Sequence, residues 1–584
     1  MDTRTQTLWI LFFLTVFSLF VSPGYSIFTG DHPVYIPQLY RSMTPDLYPN
    51  DFSLQFQQNS FVYFDEVISF LLNTLPFSIY TLFFVVMFLV RFLTIYAITG
   101  IVNYLTQNRS FSFFAPLLFF FPQPAFGAAM RMFEAALYPR SVSLMFSLLF
   151  LLFFLYGRTF LSTLFLSFGI LMHPLTAIPF FAFFVLASLV EIQKRTLSLS
   201  SFLMSFFVPL AVGFFSLFSG PATDSSLFTR IDPVWKNILV DRVPYLYIAE
   251  WHYSIFLTLA ATLIVALTLR VFIRNLLKTS LQRVSVWLLL VLPLVLTFIS
   301  FVMVDLLNFH FFAQLQLTRG LLLLRFVVIL FLGYFTYQRL TSKKSSRLYV
   351  FSLLGLLLSL AIEDFFVLLY LPLYLTLWWK EERIQRLPVT NNFLGSLFVF
   401  YTLCFAGLLY ITESFTLLTY FVPLFIVPLA LSWLLSSSTS LPSRLPTFLM
   451  ILLPVVSLLF VPFFSVYPPY FQNQELVDTC TWIEEHLPLE ALFLTEPFST
   501  VTGPMRMTCL RSVFAGRKEG AQSAFQREYA LEWDTRMRVL DELNKHPETL
   551  EDVAETYHID YVLSEQELNL SLVYSNSKYY VYEL

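Results

Sequence analysis

The sequence predicts an all-α polytopic membrane protein of about fifteen transmembrane helices, followed by a small α/β domain. Of its 584 residues, 57% are hydrophobic and only 12% are charged, which is about half the charge of a typical soluble protein. Apolar runs close to the length that crosses a bilayer recur as far as residue 468. Ordinary charge returns over residues 469–584, a length that suits one small domain. The net charge of −3 gives no indication of nucleic acid as a partner.

The first apolar run covers residues 8–27, and we interpret it as an uncleaved span because residues 21–26 contain no good small-x-small cleavage site. The other runs lie at 79–105, 111–121, 141–157, 160–173, 174–190, 202–218, 254–272, 286–304, 319–337, 348–362, 365–379, 393–411, 416–436 and 447–467. Residues 1–468 therefore form the predicted transmembrane domain, with outer loops at 28–78, 122–140 and 219–253.

Lysines and arginines predict the orientation, because they accumulate in short cytoplasmic loops. With the N-terminus inside, the cytoplasmic loops hold Arg109, Arg158, Lys194, Arg195, Arg270, Arg274, Lys278, Arg283, Arg339, Lys343, Lys344, Arg347, Lys380, Arg383, Arg386 and Arg444. The runs broken at His173-Pro174 and at Glu363-Asp364 have basic residues at both ends, so each is predicted to be a hairpin. The C-terminal domain is then extracytoplasmic, in a protein of the cell membrane (inner, or cytoplasmic, membrane) and the cell envelope.

Acidic residues concentrate in the predicted outer loops, which indicates a working surface there. Asp31 and His32 directly follow the first span, near the membrane interface. Partial desolvation raises the pKa of a carboxylate, and a positioned carboxylate can act as a general base. Alternatively, Asp31 caps a helix that begins at the following Pro33. Asp51, in the same loop, is a second acidic candidate.

Later loops add possible binding residues. Glu134 and Arg140 form either one wall of a polar pocket or an ordinary surface pair. His173 is either a hydrogen-bonded hinge or a ligand, and nothing near it has metal-ligand spacing. Arg242 and Tyr245 suit a lipid-linked phosphate, since guanidinium binds phosphate oxygens in a fork, although aromatic residues also form belts at membrane interfaces.

Two more arginines lie in or beside predicted spans. Arg319 opens a span at its outer edge, and Arg91 falls within a span, where a functional or paired charge is the usual reading. In the C-terminal domain, helices are predicted at 475–486, 521–545 and 550–557, and strands at 491–495, 561–564 and 579–583. Cys480 and Cys509 lie in this domain, where a disulfide is chemically permitted if the domain is outside.

Short stretches with the same order and layout suggest a family. They are Gly30-Asp31-His32, residues 47–51, Glu134 with Pro139-Arg140, His173-Pro174, residues 242–246, residues 316–319, and, in the tail, Arg506, residues 511–514, Lys518 and Glu532-Trp533. Together they resemble the GT-C superfamily of membrane glycosyltransferases, and more closely a group of uncharacterised bacterial multi-pass proteins of this type. The superfamily often has two adjacent acids in its first outer loop, whereas here Asp31 is followed by histidine.

The resemblance implies a GT-C-like fold and transfer of a sugar from a polyprenyl-phosphate donor to a saccharide, lipid or protein acceptor. Asp31 would be the base of an inverting single displacement, with His32 and Asp51 as further catalytic candidates. Glu134, Arg140, His173, Arg242, Tyr245 and Arg319 would bind substrate. A divalent metal could assist at Asp51 or Glu134, but no ligand spacing requires one. The alternatives are a transporter or flippase of lipid-linked saccharides, a polymerase or ligase of surface polysaccharide, and a non-catalytic membrane scaffold.

Overall fold

The computed structural model describes residues 3–20, 23–56, 62–120, 127–218, 229–341, 347–362, 367–380 and 473–584. These parts of the chain are mostly helical and include a small C-terminal sheet region. The predicted spans at 393–411, 416–436 and 447–467 lie outside the described residues.

Apolar helices confirm that the chain is a membrane protein. Among the described residues, five helices are long and apolar enough to cross a bilayer: Ile79–Thr106, Pro174–Gln193, Tyr253–Leu276, Ser280–Leu306 and His310–Thr341. Within the last of these, helices His310–Leu315 and Leu321–Thr341 are joined by a 3-10 turn at Leu317–Gly320. Shorter apolar helices lie at Thr3–Phe20, Pro139–Leu155, Thr159–Met172, Leu199–Phe218, Arg347–Ile362 and Val367–Trp378.

The predicted total of fifteen spans is not confirmed. The run at 111–121 forms only helix Arg109–Phe114 and a 3-10 turn at Ala115–Phe119. The six α-helical and five 3-10 residues together rise about 19 Å, whereas the hydrocarbon core is about 30 Å thick. This run is therefore too short to cross the membrane as a helix.

The helices of both predicted hairpins pair with each other, and the break predicted at Glu363-Asp364 lies outside the described residues. Helices Thr159–Met172 and Pro174–Gln193 meet at His173. Helices Arg347–Ile362 and Val367–Trp378 pack antiparallel, since the rings of Phe351 and Tyr370 are 5.6 Å apart and those of Tyr349 and Tyr374 stack at 6.3 Å.

Connections between the long helices gather at two ends. At one end, Lys194 Nζ donates to Ser280 Oγ at 2.7 Å, and Gln282 Nε2 donates to the carbonyl of Tyr104 at 2.9 Å. We call the other end the domain end, because the C-terminal domain docks on it. Its segments contain helices His32–Met43, Phe52–Gln55, Phe64–Thr74 and Pro233–Arg242, and 3-10 turns at Pro244–Leu246 and Ile248–Glu250.

Arg91 is a buried structural tie within helix Ile79–Thr106. Its guanidinium donates to three backbone carbonyls: that of Ser18, that of Gly24 at 2.5 Å and that of Glu134 at 2.6 Å. These bonds hold the end of the first helix and the 127–138 segment against the same span. Backbone carbonyl groups thus provide the polar partners that the charge of Arg91 requires within a span.

The C-terminal domain is a five-stranded mixed sheet with helices packed on it. Strands β1 Leu492–Leu494, β2 Ser512–Val513, β3 Tyr561–Ser564, β4 Ser571–Ser575 and β5 Tyr580–Glu583 are arranged in the order β2-β1-β3-β5-β4. β1 pairs in parallel with β2 and β3, whereas β5 pairs antiparallel with β3 and β4. The helices are Gln474–His486, Thr502–Met507, Arg527–Lys545 and Leu550–Tyr557.

Most predicted elements of this domain are confirmed, with one correction. The helix predicted at 521–545 begins at Arg527, because Lys518–Ala524 forms a separate 3-10 helix. Helix Thr502–Met507 and strands β2 and β4 were not predicted from the sequence. A disulfide joins Cys480 to Cys509.

A buried ion pair docks this domain on the domain end. Arg506 donates to Asp51 through Nε at 2.6 Å, and it also contacts Glu519. Asp51 accepts from the backbone N–H of Val513 at 3.0 Å, and the hydroxyl of Tyr48 donates to the carbonyl of Arg506 at 2.6 Å. Apolar residues from both sides form one shared core around this pair.

Candidate active site

Six of the predicted site residues line one cavity, between the domain end and the C-terminal domain. The cavity has a volume of about 320 Å³, within the range of about 300–1,000 Å³ that is usual for small-molecule sites. The six residues come from five separate segments of the chain, and they are Asp31, Arg140, His173, Arg242, Tyr245 and Arg319.

Asp31 contacts two of the cations that line the cavity. It is the residue before helix His32–Met43, but its side chain makes no capping hydrogen bond. The carboxylate instead contacts Arg140 through one oxygen and Lys518 Nζ, at 2.7 Å, through the other. Burial raises the pKa of Asp31, but these two cations outweigh burial and hold the pKa well below its usual range.

The backbone before Asp31 has little freedom. Gly30 has a positive φ of 59°, and a Cβ at this position would collide with the hydroxyl of Tyr138. That hydroxyl accepts from the N–H of Asp31 at 3.3 Å and donates to the carbonyl of Thr29 at 3.1 Å. Glycine is therefore required both for the turn and for the approach of Tyr138.

Arg140 contacts two carboxylates. It is therefore part of the polar wall of the cavity and not of an ordinary surface pair. Its Nε donates to Glu134 Oε1 at 2.9 Å while another nitrogen contacts Asp31. The guanidinium also lies 4.4 Å from the ring centroid of Tyr138. Glu134 is buried behind Arg140 and does not line the cavity, so it orients the arginine.

A hydrogen-bond chain links Arg319 to His173. Arg319 donates to Gln316 Oε1 at 2.8 Å and to the hydroxyl of Thr176 at 3.4 Å. The Thr176 hydroxyl lies 3.0 Å from Nδ1 of His173, which also accepts from the N–H of Thr176. His173 is thus the N-cap of helix Pro174–Gln193 and lines the cavity as well.

Arg242 and Tyr245 close the cavity beside the C-terminal domain. Arg242 donates to the carbonyls of Arg517 at 2.7 Å and Lys518 at 3.0 Å, so it fixes the backbone that presents Lys518. Burial raises the pKa of Tyr245, which keeps its hydroxyl protonated at neutral pH.

His32 and Asp51 do not line the cavity. His32 is buried, where Nδ1 accepts from the N–H of Phe28 at 2.8 Å and Nε2 lies 2.9 Å from the carbonyl of Leu137. Burial lowers the pKa of His32 to about 4. Both ring nitrogens have backbone partners, and Asp51 is engaged with Arg506, so the two residues hold the structure around the site.

The carboxylates considered for a metal do not fit one. Asp51 is bound to Arg506 and Glu134 to Arg140, and no contact joins the two acids. Over the described residues, no three His, Cys, Asp or Glu side chains come together as a metal site would require. We therefore derive no step through a metal.

Lys518 is the principal site residue that the candidate set from the sequence omits. It starts the 3-10 helix Lys518–Ala524 of the C-terminal domain, and its pairing with Asp31 depends on how this domain docks. In the sequence, Lys518 is marked out only as one of the C-terminal residues that carry the resemblance to GT-C proteins. Tyr35 and Gln316 also line the cavity.

The described lining contains two kinds of side chain, which we call, by their chemistry, the cationic half and the apolar half. The cationic half comprises four side chains, those of Arg140, Arg242, Arg319 and Lys518, against the single carboxylate of Asp31. The apolar half comprises Val34, Val62, Leu175, Ile178, Phe311, Leu315 and Phe525. This lining suits an anion attached to an apolar chain, because guanidinium and ammonium groups bind phosphate oxygens.

The protein has no match among the protein-family models or the curated proteins with which it was compared.

Proposed function

We propose that this protein is an integral-membrane glycosyltransferase of the GT-C type. It moves a sugar from a polyprenyl-phosphate donor to an acceptor hydroxyl on the outer face of the cell membrane, where the C-terminal domain is extracytoplasmic and the N-terminus is cytoplasmic. The observation that carries this proposal is the cavity in which a cationic half, an apolar half and the Asp31 carboxylate converge.

The donor phosphate binds in the cationic half. Arg140 and Lys518 already hold a carboxylate there, and Arg319 lies in the same lining. In the donor this phosphate is a diester with two free oxygens and one negative charge, like the Asp31 carboxylate, so it competes for the same hydrogen-bond donors. The first isoprene units then contact the apolar half, next to Ile178 and Leu315.

Donor binding also prepares Asp31 to accept a proton. A general base works best when its pKa lies near the working pH, whereas Asp31 without a ligand is held in its ionised form by Arg140 and Lys518. When phosphate draws these cations away, the remaining burial raises the pKa of Asp31. The base is thus activated only when the donor is present.

The transfer step is a single displacement. The acceptor oxygen forms a bond to the anomeric carbon as the bond from that carbon to the phosphate oxygen breaks, and the hydroxyl proton passes to Asp31. Polyprenyl phosphate leaves with the bonding electron pair, and its charge is stabilised by Arg140, Arg319 and Lys518. One displacement inverts the anomeric configuration.

The test is sugar transfer by purified protein in membranes, with a panel of radiolabelled polyprenyl-phosphate sugars. Wild type and Asp31→Asn are assayed in parallel, and Asp46→Asn, a change in the same segment that does not line the cavity, serves as the matched control. We expect transfer by wild type and by Asp46→Asn, and none by Asp31→Asn. Equal transfer by all three proteins would show that Asp31 is not the base.

The rival functions give different results in the same experiment. A transporter or flippase of lipid-linked saccharides would move the labelled donor across vesicles without cleaving it, with or without Asp31. A scaffold would neither bind nor cleave it. A polymerase or ligase of surface polysaccharide would transfer whole glycan chains and not single sugars.

A further inference from the structure

A second cavity, which we call the polar cleft, adjoins the candidate active site. It has a volume of about 620 Å³ and lies between residues 28–33, the end of helix Pro233–Arg242 and the C-terminal domain. Arg242 and Lys518 line both cavities. Gly30 lines the cleft and the next residue, Asp31, lines the active site. Only a thin wall of side chains therefore separates the two.

The cleft differs from the active-site cavity in charge. Its described lining holds five carboxylates, those of Asp241, Glu496, Glu519, Asp534 and Asp541, and four cations, those of Arg242, Arg517, Lys518 and Arg538. Several of them pair with one another: Arg517 contacts Asp541 at 3.1 Å and Arg538 contacts Asp534 at 2.8 Å. Because negative and positive side chains are nearly equal in number, the cleft has no preference for an anion, in contrast to the cationic half of the active site.

The polar groups of the cleft suit hydroxyl groups. Carboxylate oxygens accept from hydroxyls, and guanidinium groups donate to them in a planar fork. Threonine hydroxyls add to this lining, since Thr502 donates to Glu496 Oε1 at 3.2 Å and Thr500 is exposed in the cleft. The aromatic ring of Trp533 is almost fully buried and offers little apolar surface for a lipid.

We infer that the polar cleft binds a neutral saccharide, which is the acceptor of the proposed transfer reaction. This inference rests on the proposed function for the role of acceptor, but not for saccharide binding itself. A hydroxyl of a saccharide seated beside Lys518 faces Asp31, and displacement of Lys518 by the donor phosphate opens the wall between them. The acceptor and the donor thus approach the same carboxylate from opposite sides.

The test is equilibrium binding by saturation-transfer NMR to the full-length protein in lipid nanodiscs. The probes are cellotetraose, maltotetraose, mannotetraose and chitotetraose, with a hyaluronan tetrasaccharide and a neutral serine-rich peptide as other ligand classes. Thr500→Trp fills the cleft, and Thr556→Trp, an exposed residue of the same domain outside the cleft, is its matched control. Arg319→Met removes a cation from the other cavity.

We expect at least one neutral tetrasaccharide to bind wild type, and Thr500→Trp to weaken that binding by about tenfold or more. Thr556→Trp and Arg319→Met should leave it unchanged. Binding of only the hyaluronan or only the peptide, binding of no probe, or equal binding to Thr500→Trp would each overturn the inference. Saccharide binding by a protein that transfers no sugar would contradict only the proposed function, whereas donor binding without saccharide binding would contradict only this inference.

Discussion

Lys518 Nζ lies 2.7 Å from Asp31 Oδ1, so the C-terminal domain supplies a cation directly to a carboxylate that follows the first apolar helix, Thr3–Phe20. The contact connects a residue near the start of the sequence with a residue of the C-terminal domain, at the active-site cavity. It also places Lys518 between that cavity and the polar cleft, because the residue lines both.

Substitution Lys518→Met should weaken the binding of a polyprenyl phosphate by about tenfold or more, since a charge-assisted hydrogen bond contributes about 1.5–3 kcal/mol. The measurement is lipid titration by native mass spectrometry. Lys578→Met is the matched control, because Lys578 is similarly exposed but lies in the hairpin that ends the chain. Equal affinity of Lys518→Met and wild type would remove Lys518 from the phosphate site.

Substitution Arg140→Lys should affect transfer more than donor binding. Lysine keeps the positive charge, but it cannot contact Asp31 and Glu134 at once as the guanidinium does. We expect kcat to fall by about tenfold or more while donor affinity changes by less than about threefold. A loss of affinity with unchanged kcat would instead assign Arg140 to donor binding alone.

Substitution Asp51→Asn should weaken the docking of the C-terminal domain on the domain end. Among the described residues it leaves the buried Arg506 with one carboxylate partner, Glu519, and breaking a buried ion pair costs about 3–5 kcal/mol. Thermal unfolding in detergent and limited proteolysis between the two domains would detect this loss. Asp541→Asn breaks an exposed pair with Arg517 and should change neither readout, so similar behaviour of both variants would argue against the docking role of Asp51.

His32 should make stability depend on pH. Its pKa is about 4 in the folded protein because of burial, against about 6.5 in an unfolded chain. Stability from this group is therefore complete above about pH 6.5 and is lost as the pH falls toward 4, by about 2 kcal/mol between pH 7 and pH 5. The stability advantage of wild type over His32→Gln should shrink over this interval, and a constant or growing difference in Tm would contradict a neutral His32.

Membrane helices were predictable because hydropathy is a local property. The hairpin at His173 and the pairing of helices Arg347–Ile362 and Val367–Trp378 followed from apolar length and the positions of basic residues, both of which can be read along the chain. The run at 111–121 was misjudged for the same reason, since its composition is apolar but its helix ends at Phe114.

The site was only partly predictable. Arg140, Arg242 and Arg319 stood out because charge is scarce near the apolar runs. The pairing of Asp31 with Lys518 depends on the docking of the C-terminal domain through Arg506 and Asp51, a contact that no local pattern encodes. His32 drew attention as a neighbour of Asp31, but its partners are backbone groups that only the folded chain brings to it.

The most direct measurement is photochemical mapping of the donor site. A polyprenyl phosphate carrying a diazirine beside the phosphate would be irradiated with the full-length protein in nanodiscs, and the labelled peptides identified by mass spectrometry. Binding in the active-site cavity predicts labelling of Tyr35, Leu175, Ile178 or Leu315, with much less after Arg319→Met or with an uncharged polyprenol diazirine. Equal labelling by the phosphate and the polyprenol, confined to the exposed side chains of helix Tyr253–Leu276, would contradict a lipid-phosphate site.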